Sequence, residues 1–319
     1  MRQAACTLAA LWLGLLGGCE RSPAPAASQP AEPASDRSGL HDWVLRPAVA
    51  AEEQRVPCPR LLSAAPNVTE ICCALGLADC LVGRTRYCTY PPAIEAVPSI
   101  GALNDLNVEA LLQLRPEMIV VSGTSRAVSD RLSRLGLRFE SVPDDSLADL
   151  FTAIERIGVL TGRTATARRL RDALQADLDT VARRFAGGPT ARVLILTGPL
   201  PDPPMQVDAA GPGSFYEDLL RCAGHRNVAE SAGRPWTPLS LEFVLRADPD
   251  VIVELAPDRS VRPAGDNDAR RVWAKVGPLR AVQQQRVHVL VGPQYFVLGP
   301  RIAYTFEALC ETIRGEHHE

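Results

Sequence analysis

The segment that most constrains this fold is the long amphipathic stretch Thr161–Phe185. Its apolar residues recur every three or four positions, which predicts an α-helix with one buried stripe and charged outer faces. They are Ala167, Leu170, Ala173, Leu174, Leu178, Val181 and Phe185. Gly162 lies at its start, and Gly187, Gly188 and Pro189 end it. A helix of about 25 residues is about 37 Å long, so we expect residues 161–187 to form a strut between two lobes.

The sequences on either side of this helix resemble each other. Without gaps, Asn107–Val121 aligns with Ser240–Glu254, and both read as a helix, a proline, an acidic residue and a buried strand. Strands alternate with helices on both sides, which favours parallel sheets. We therefore predict an α/β protein with two Rossmann-like lobes, residues 55–160 and 188–315, joined by one long helix.

The N-terminus predicts export. Arg2 precedes the apolar run Ala4–Leu16, which is shorter than the roughly 20 residues of a membrane-spanning helix and suits a signal peptide. The run ends in Leu16-Gly17-Gly18-Cys19, which resembles a bacterial lipobox, so residues 1–19 are expected to be a lipoprotein signal with Cys19 lipidated. The alternative is a plain secretory signal cut elsewhere. The sequence leaves open which membrane would hold the anchor.

Residues 20–54 begin with a Pro/Ala/Ser-rich stretch and are expected to be a flexible tether.

Composition limits the function classes. The 319 residues are long enough for two domains, and the formal charge of −3 gives no basic excess for nucleic acid. Seven cysteines remain after Cys6 and Cys19, and the pairing of five is left open: Cys58, Cys72, Cys73, Cys80 and Cys88. Their spacing predicts no metal site.

Catalytic motifs are missing from the sequence. It has no Walker loop, GxGxxG, GxSxG or HExxH pattern, and Ser122-Gly123-Thr124-Ser125 lacks nucleophile-elbow spacing. An exported two-lobed chain of this kind favours a binding protein over an enzyme. The competing hypothesis is an exported enzyme or a sensor on the same scaffold.

Four segments could line a cleft between the lobes. They are Tyr87–Pro92, Arg234–Pro238 with Trp236 between prolines, Gln294–Phe296 with Tyr295 and Phe296, and the loop Pro199–Met205. Each also has a purely structural interpretation as a rigid turn, ordinary aromatic packing or a mobile connection. Glu109 and Glu242 lie in first turns of their predicted helices, where a carboxylate is favoured by roughly 0.3–1 kcal/mol. That stabilisation alone explains both.

Several of these motifs together resemble a known family. The sequences RLLSAAPNVTEICCALGLADCLVGRTRYCTYPP, LNVEALLQLRPEMIVV and RPWTPLSLEFVLRADPDVIV are similar to the helical-backbone class of periplasmic substrate-binding proteins. These serve ABC importers of cobalamin, haem and iron–siderophore complexes. The resemblance runs from Arg60 to Ile313 and is strongest to the vitamin B12-binding protein family. It implies two lobes that flex only slightly about one helix.

The resemblance also implies roles for individual residues. Tyr87 and Trp236 match aromatic cleft residues, with Tyr295 and Phe296 near a second ligand-contacting run. Glu109 and Glu242 match glutamates that dock on arginines of the transmembrane subunits, which favours a docking role over the helix-dipole explanation. Cys222 and Cys310 match a disulfide.

Two departures from the family pattern affect the ligand. Ala102-Leu103-Asn104 stand where the B12 binders have a tryptophan, and Gln294-Tyr295-Phe296 replace an Asp-Trp-Phe run. Flat aromatic faces still suit a large planar ligand. A haem or ferric siderophore is the alternative, with Tyr87 or Tyr295 as a phenolate ligand to iron.

The resulting expectation is a lipid-anchored periplasmic monomer that needs no cofactor or catalytic residue. Its partners would be a corrinoid or related metal chelate and the transmembrane subunits of an ABC importer. Its only contact with the membrane itself would be through the lipid.

Overall fold

A computed structural model describes residues 40–102, 105–123 and 126–316. The predicted signal peptide and Cys19 lie outside these residues. Within the described residues, the N-terminal lobe contains six strands and four α-helices: β1 (Leu61–Ser63), α1 (Pro66–Ala74), β2 (Leu81–Arg84), β3 (Gly101–Ala102), β4 (Asp105–Leu106), α2 (Val108–Gln113), β5 (Met118–Ser122), α3 (Arg126–Arg134), β6 (Phe139–Val142) and α4 (Leu147–Leu160). Its main sheet is parallel throughout, in the order β2-β1-β5-β6.

The C-terminal lobe follows the long helix α5 (Thr164–Arg184). Its elements are β7 (Arg192–Leu196), β8 (Val207–Ala210), α6 (Phe215–Cys222), β9 (Arg226–Asn227), β10 (Trp236–Leu239), α7 (Leu241–Ala247), β11 (Val251–Ala256), α8 (Asp266–Trp273), α9 (Arg280–Gln283), β12 (Val287–Val291) and α10 (Ile302–Arg314). The sheet order is β10-β8-β7-β11-β12, with β9 beside β7. Strands β8 and β10 are antiparallel to their neighbours. The predicted α/β fold with two parallel-rich lobes is confirmed, although β8 begins just after the loop Pro199–Met205, where the sequence pattern predicts no strand.

Helix α5 crosses both lobes. Its 21 residues span about 31 Å at 1.5 Å per residue, and it packs on α4 of the N-terminal lobe and on α10 of the C-terminal lobe. The buried side chains follow the predicted stripe and include Leu170, Leu174, Leu178 and Val181. The helix therefore lies where a strut between the lobes should lie.

The repeated segment folds the same way in both lobes. Asn107 and Ser240 cap α2 and α7 by accepting the backbone N–H three residues on, at 3.0 and 3.2 Å. Glu117 and Asp250 each accept a backbone N–H at the start of the first strand of the lobe: that of Arg60, just before β1, at 2.9 Å and that of Arg192, the first residue of β7, at 2.8 Å. These shared hydrogen bonds support the duplication inferred from the sequence.

The tether prediction is wrong for residues 40–54. Leu40 and Val44 are buried, and the Trp43 Nε1–H donates to Asp177 of α5 at 3.0 Å. The Glu53 carboxylate accepts the backbone N–H groups of Ala165 and Thr166 at 2.7 and 3.0 Å. It thereby satisfies otherwise unpaired donors at the start of α5. This segment is a strap on the long helix.

The disulfide prediction is also wrong. Cys222 and Cys310 are both free thiols, and the structure joins Cys58 to Cys80 instead. Cys222 is exposed at the C-terminal end of α6, whereas the Cys310 thiol is buried in α10. The Cys58–Cys80 bond ties the segment before β1 to the turn before β2.

Candidate functional site

A cavity of about 400 Å³ lies between the lobes. The N-terminal lobe lines it from the start of α1 and the ends of two strands, and the C-terminal lobe from the start of α6, from β10 and from the segment after β12. The lining residues are Ala65, Pro66, Asn67, Ser122, Asp144, Thr197, Phe215, Tyr216, Trp236, Phe296, Val297 and Leu298. Carboxyl ends of parallel strands are the usual ligand sites of open α/β sheets.

The C-terminal lobe supplies an aromatic wall. Trp236 stands edge-on to Phe215 and Tyr216, with ring centroids 5.9 and 6.1 Å apart. Tyr216 is buried and its hydroxyl donates to the backbone carbonyl of Tyr295. Trp236 keeps 41% of its surface exposed. Its free face and the half-exposed Phe296 offer flat apolar surface to a ligand.

The N-terminal lobe supplies a polar wall. The Asn67 side-chain amide donates to the Ser122 hydroxyl at 2.7 Å, and that hydroxyl donates to the Asp144 carboxylate at 2.8 Å. Burial raises the pKa of Asp144 despite the Ser122 bond, and the neighbouring Asp145 and Asp149 carboxylates raise this pKa further. The chain Asn67–Ser122–Asp144 can exchange hydrogen bonds with amide or hydroxyl groups of a ligand.

The charge of the lining distinguishes ligand classes. Among the described residues that line the cavity, Asp144 is the one ionisable carboxylate and none is a Lys, Arg or His. The nearby Arg301 is already engaged, because it donates to the Glu70 carboxylate at 2.6 and 3.0 Å and stacks on the Tyr90 ring. The described lining therefore has no cationic side chain that could pair with an anionic group of a ligand.

Direct bonds join the two lobes at the rim of the cavity. The Trp236 Nε1–H donates to the Asp145 carboxylate at 2.8 Å, and the Phe215 N–H donates to the Asp145 carbonyl at 2.6 Å. In the other direction, the Leu147 N–H at the start of α4 donates to Asp218 of α6 at 3.0 Å. Together with the Glu70–Arg301 ion pair, these contacts hold the lobes close.

The structure brings two of the four predicted cleft residues together. Trp236 and Phe296 line the cavity. Tyr87 is 59% exposed outside the lining, with the Arg86 guanidinium 5.2 Å from its ring centroid. Tyr295 contributes its carbonyl to Tyr216, and burial raises the pKa of its phenol.

The sequence interpretation missed the polar wall. Asn67 lies in the first turn of α1, which begins at Pro66 with no side-chain cap, and Glu70 of the same helix pairs with Arg301. In the sequence, Ser122 stands out only as part of a segment without nucleophile-elbow spacing. Its place at the end of a buried strand is the one available signal.

Glu109 and Glu242 lie in the first turns of α2 and α7, as predicted, and both are exposed. The Gln113 side-chain amide donates to Glu109 at 3.3 Å. Within the described part of the chain neither carboxylate forms an ion pair within 4.0 Å. Both charges are therefore accessible to a partner.

The described residues contain neither a helix suited to span a membrane nor a cluster of metal-ligating side chains. No described helix combines the length and apolar character needed to cross a bilayer. No group of three His, Cys, Asp or Glu side chains there could hold a metal ion.

The model of the periplasmic binding protein family matches residues 62–290, well over half of the chain. The chain belongs to this family. It is similar to an ABC transporter substrate-binding lipoprotein of Bacillus subtilis, YvrC, with 28% identity over 80% of this chain and 79% of that protein. It is also similar to the vitamin B12-binding protein of Salmonella paratyphi A, with 24% identity over 61% of this chain and 71% of that protein.

A solved structure extends the likeness to the fold. A periplasmic haem-binding protein from Pseudomonas aeruginosa superimposes with a TM-score of 0.68 at 27% identity, over 82% of this chain and 95% of that one. The molecule is thus a periplasmic substrate-binding protein of the helical-backbone class that serves ABC transporters, and it works outside the cytoplasm.

Proposed function

We propose that this protein captures cobalamin or a related corrinoid in the cleft between its lobes and delivers it to an ABC importer. In this proposal Cys19 carries a lipid that anchors the protein to the membrane, and the body acts as a monomer. No bond is made or broken in the ligand, so the protein is not an enzyme. The similarity to a vitamin B12-binding protein supports this choice.

The observation that carries the proposal is the character of the cleft lining. The described lining combines exposed aromatic faces with the Asn67–Ser122–Asp144 chain and no cationic side chain. Haem carries two propionate carboxylates, and a lining with an aspartate and no cation would repel them. A corrin ring has flat apolar faces and a rim of neutral amides, which can stack on Trp236 and hydrogen-bond to the polar wall.

One observation favours haem as the second candidate. The phenol of Tyr87 is exposed, and a tyrosine phenolate is a known ligand of haem iron. Tyr295 suits that role less, because burial raises the pKa of its phenol.

A ligand screen separates the two candidates. The protein without residues 1–19 is titrated with cyanocobalamin, haemin and ferric siderophores, by calorimetry and absorption spectroscopy. We expect saturable cyanocobalamin binding that weakens about tenfold or more in Trp236→Ala, because an aromatic contact face is lost. Tyr87→Phe is the matched control and should bind cyanocobalamin like the wild type. Saturable haemin binding with no cyanocobalamin binding, lost in Tyr87→Phe, would reject the corrinoid proposal.

The proposed delivery step uses Glu109 and Glu242. One exposed carboxylate on each lobe can pair with arginines of the transmembrane subunits and orient the complex. Glu109→Arg is then expected to abolish uptake of radiolabelled cyanocobalamin by cells and to leave binding by the purified protein unchanged. Normal uptake by this variant would return Glu109 to a purely helix-stabilising role.

A further inference from the structure

Two exposed leucines occupy equivalent positions of the repeated segment. Leu112 in α2 is 48% exposed and Leu245 in α7 is 38% exposed. Each follows its glutamate, Glu109 or Glu242, by three residues. Residues three apart lie on the same face of a helix, so each lobe presents a carboxylate and an apolar side chain side by side.

Each leucine is exposed to solvent on one side and borders a defined surface feature on the other. Leu112 borders a surface depression of about 650 Å³ that Val108, Glu109, Gln113 and Arg115 also line. Leu245 lies against Gly277, where a Cβ would come within 2.8 Å of its Cδ2 atom. Leu245 is thus packed on one side against Gly277, and Leu112 stands at the edge of a depression that a partner can enter.

We propose that Leu112 and Leu245 are apolar anchors through which this protein docks on the transmembrane subunits of its importer. Each leucine enters an apolar recess beside the cation that pairs with the adjacent glutamate. The inference rests on the proposed docking function and adds residues to it. In such an interface the glutamates set orientation and association rate, while the desolvated leucines contribute affinity and slow dissociation.

Charge selects this partner over a second copy of the chain. Among the described residues neither glutamate has an ion-pair partner, so the patches complement a cationic surface. A symmetric contact between two copies joins a patch to its own counterpart, so it would use one of the two matched patches and leave the other uncovered. The two matched patches instead fit a partner with two equivalent recesses, such as a pair of transmembrane subunits.

Cross-linking in the native host identifies the occupant. A photoreactive amino acid replaces Leu112 or Leu245 in the full chain, and Val159 of α4, which is 65% exposed, is the control position. We expect positions 112 and 245 to cross-link to a transmembrane subunit of an ATP-driven importer, and position 159 not to. Cross-links only to copies of this chain, or to no importer subunit, would overturn the inference.

Affinity measurements separate the leucines from the glutamates. Binding to that importer in nanodiscs is measured for L112S, L245S, V159S and E109Q/E242Q, after thermal melting has confirmed that each variant is folded. We expect each leucine variant to dock about tenfold more weakly than the wild type, mainly because it dissociates faster. V159S should dock with wild-type affinity. Weakening by E109Q/E242Q with wild-type affinity for L112S and L245S would refute the leucine anchors and leave the glutamate docking intact. Wild-type affinity in all variants would refute both.

Discussion

The two lobes build the same helix–proline–acid–strand unit, but different side-chain hydrogen bonds hold the turn between its helix and its strand. In the N-terminal lobe the Arg60 guanidinium donates to the backbone carbonyls of Leu114 and Arg115 at 2.7 and 3.2 Å. In the C-terminal lobe Arg280 donates to the carboxylates of Asp248 and Asp250 at 2.7 and 2.8 Å. The comparison shows that the backbone geometry was retained while the side chains that hold it diverged.

The lobes differ more at the cleft. The N-terminal sheet is all parallel and supplies a polar wall, whereas the C-terminal sheet adds antiparallel β8 and β10, which bring Trp236 to the rim. A ligand bound between them meets hydrogen-bonding groups on one side and aromatic rings on the other. Its orientation is thereby fixed, which two identical lobes could not achieve.

The largest expected effects concern two buried, paired carboxylates, one from each lobe. Glu254 is fully buried and accepts from Arg262 at 2.8 Å, from Trp273 at 2.8 Å and from the Leu200 N–H at 3.0 Å, all within its own lobe. Glu70 is 2% exposed and pairs with Arg301 of the other lobe. Removing one partner of a buried pair costs about 3–5 kcal/mol. We expect losses of that size in the free energy of unfolding for E254A and E70A, measured with urea.

Hydrogen exchange distinguishes the two variants. E70A should also speed exchange of the Phe215 and Leu147 amides, which bond across the lobes, whereas E254A should speed exchange within the C-terminal lobe. E52A is the control, since Glu52 is 64% exposed and its loss should cost less than about 0.5 kcal/mol. Identical exchange maps for E70A and E254A would contradict the assignment of Glu70 to the lobe contact.

Most of the fold could be read from the sequence because it depends on local patterns. The stripe in α5, the buried strands and the repeat around Glu109 and Glu242 all follow helical or strand periodicity. Strands β8 and β10 escaped prediction because they lie in proline-rich segments. The outer strand of the sheet tolerates Pro238, whose missing N–H would disrupt a central strand.

The candidate site was less predictable because its parts meet only in the folded chain. Trp236 and Phe296 stand out by residue type, but Asn67, Ser122 and Asp144 are ordinary residues until strand ends bring them together. The strap residue Glu53 caps a helix more than 100 positions away, and no local pattern encodes that contact. The Cys58–Cys80 pairing depends in the same way on tertiary proximity.

A moderate and equal effect is expected at the two helix caps. Asn107 and Ser240 perform the same role at matching positions, so N107A and S240A should each lower the free energy of unfolding by about 1 kcal/mol. Thr180→Ala is the control, because that hydroxyl bonds to a carbonyl inside α5 and caps nothing. A marked effect at one cap only would show that the two units are not energetically equivalent.

The smallest expected change in the free energy of unfolding concerns the turn between helix and strand of the repeated unit. Arg115 and Asp248 occupy matching positions there, and both have a positive φ, 44° and 39°. Glycine tolerates this conformation without a Cβ penalty, so R115G should stabilise the protein by about 0.5–1 kcal/mol. D248G should instead destabilise it at neutral pH, because it removes the carboxylate that binds Arg280.

The Arg280 backbone N–H, followed by its guanidinium, holds the pKa of Asp248 below its usual value. That stabilisation is complete above about pH 3.9 and is lost as the pH falls through the lowered pKa of the folded state. The deficit of D248G relative to the wild type should therefore shrink in acid, and a change of the same sign for both glycine variants at pH 7 would contradict the contrast between the lobes.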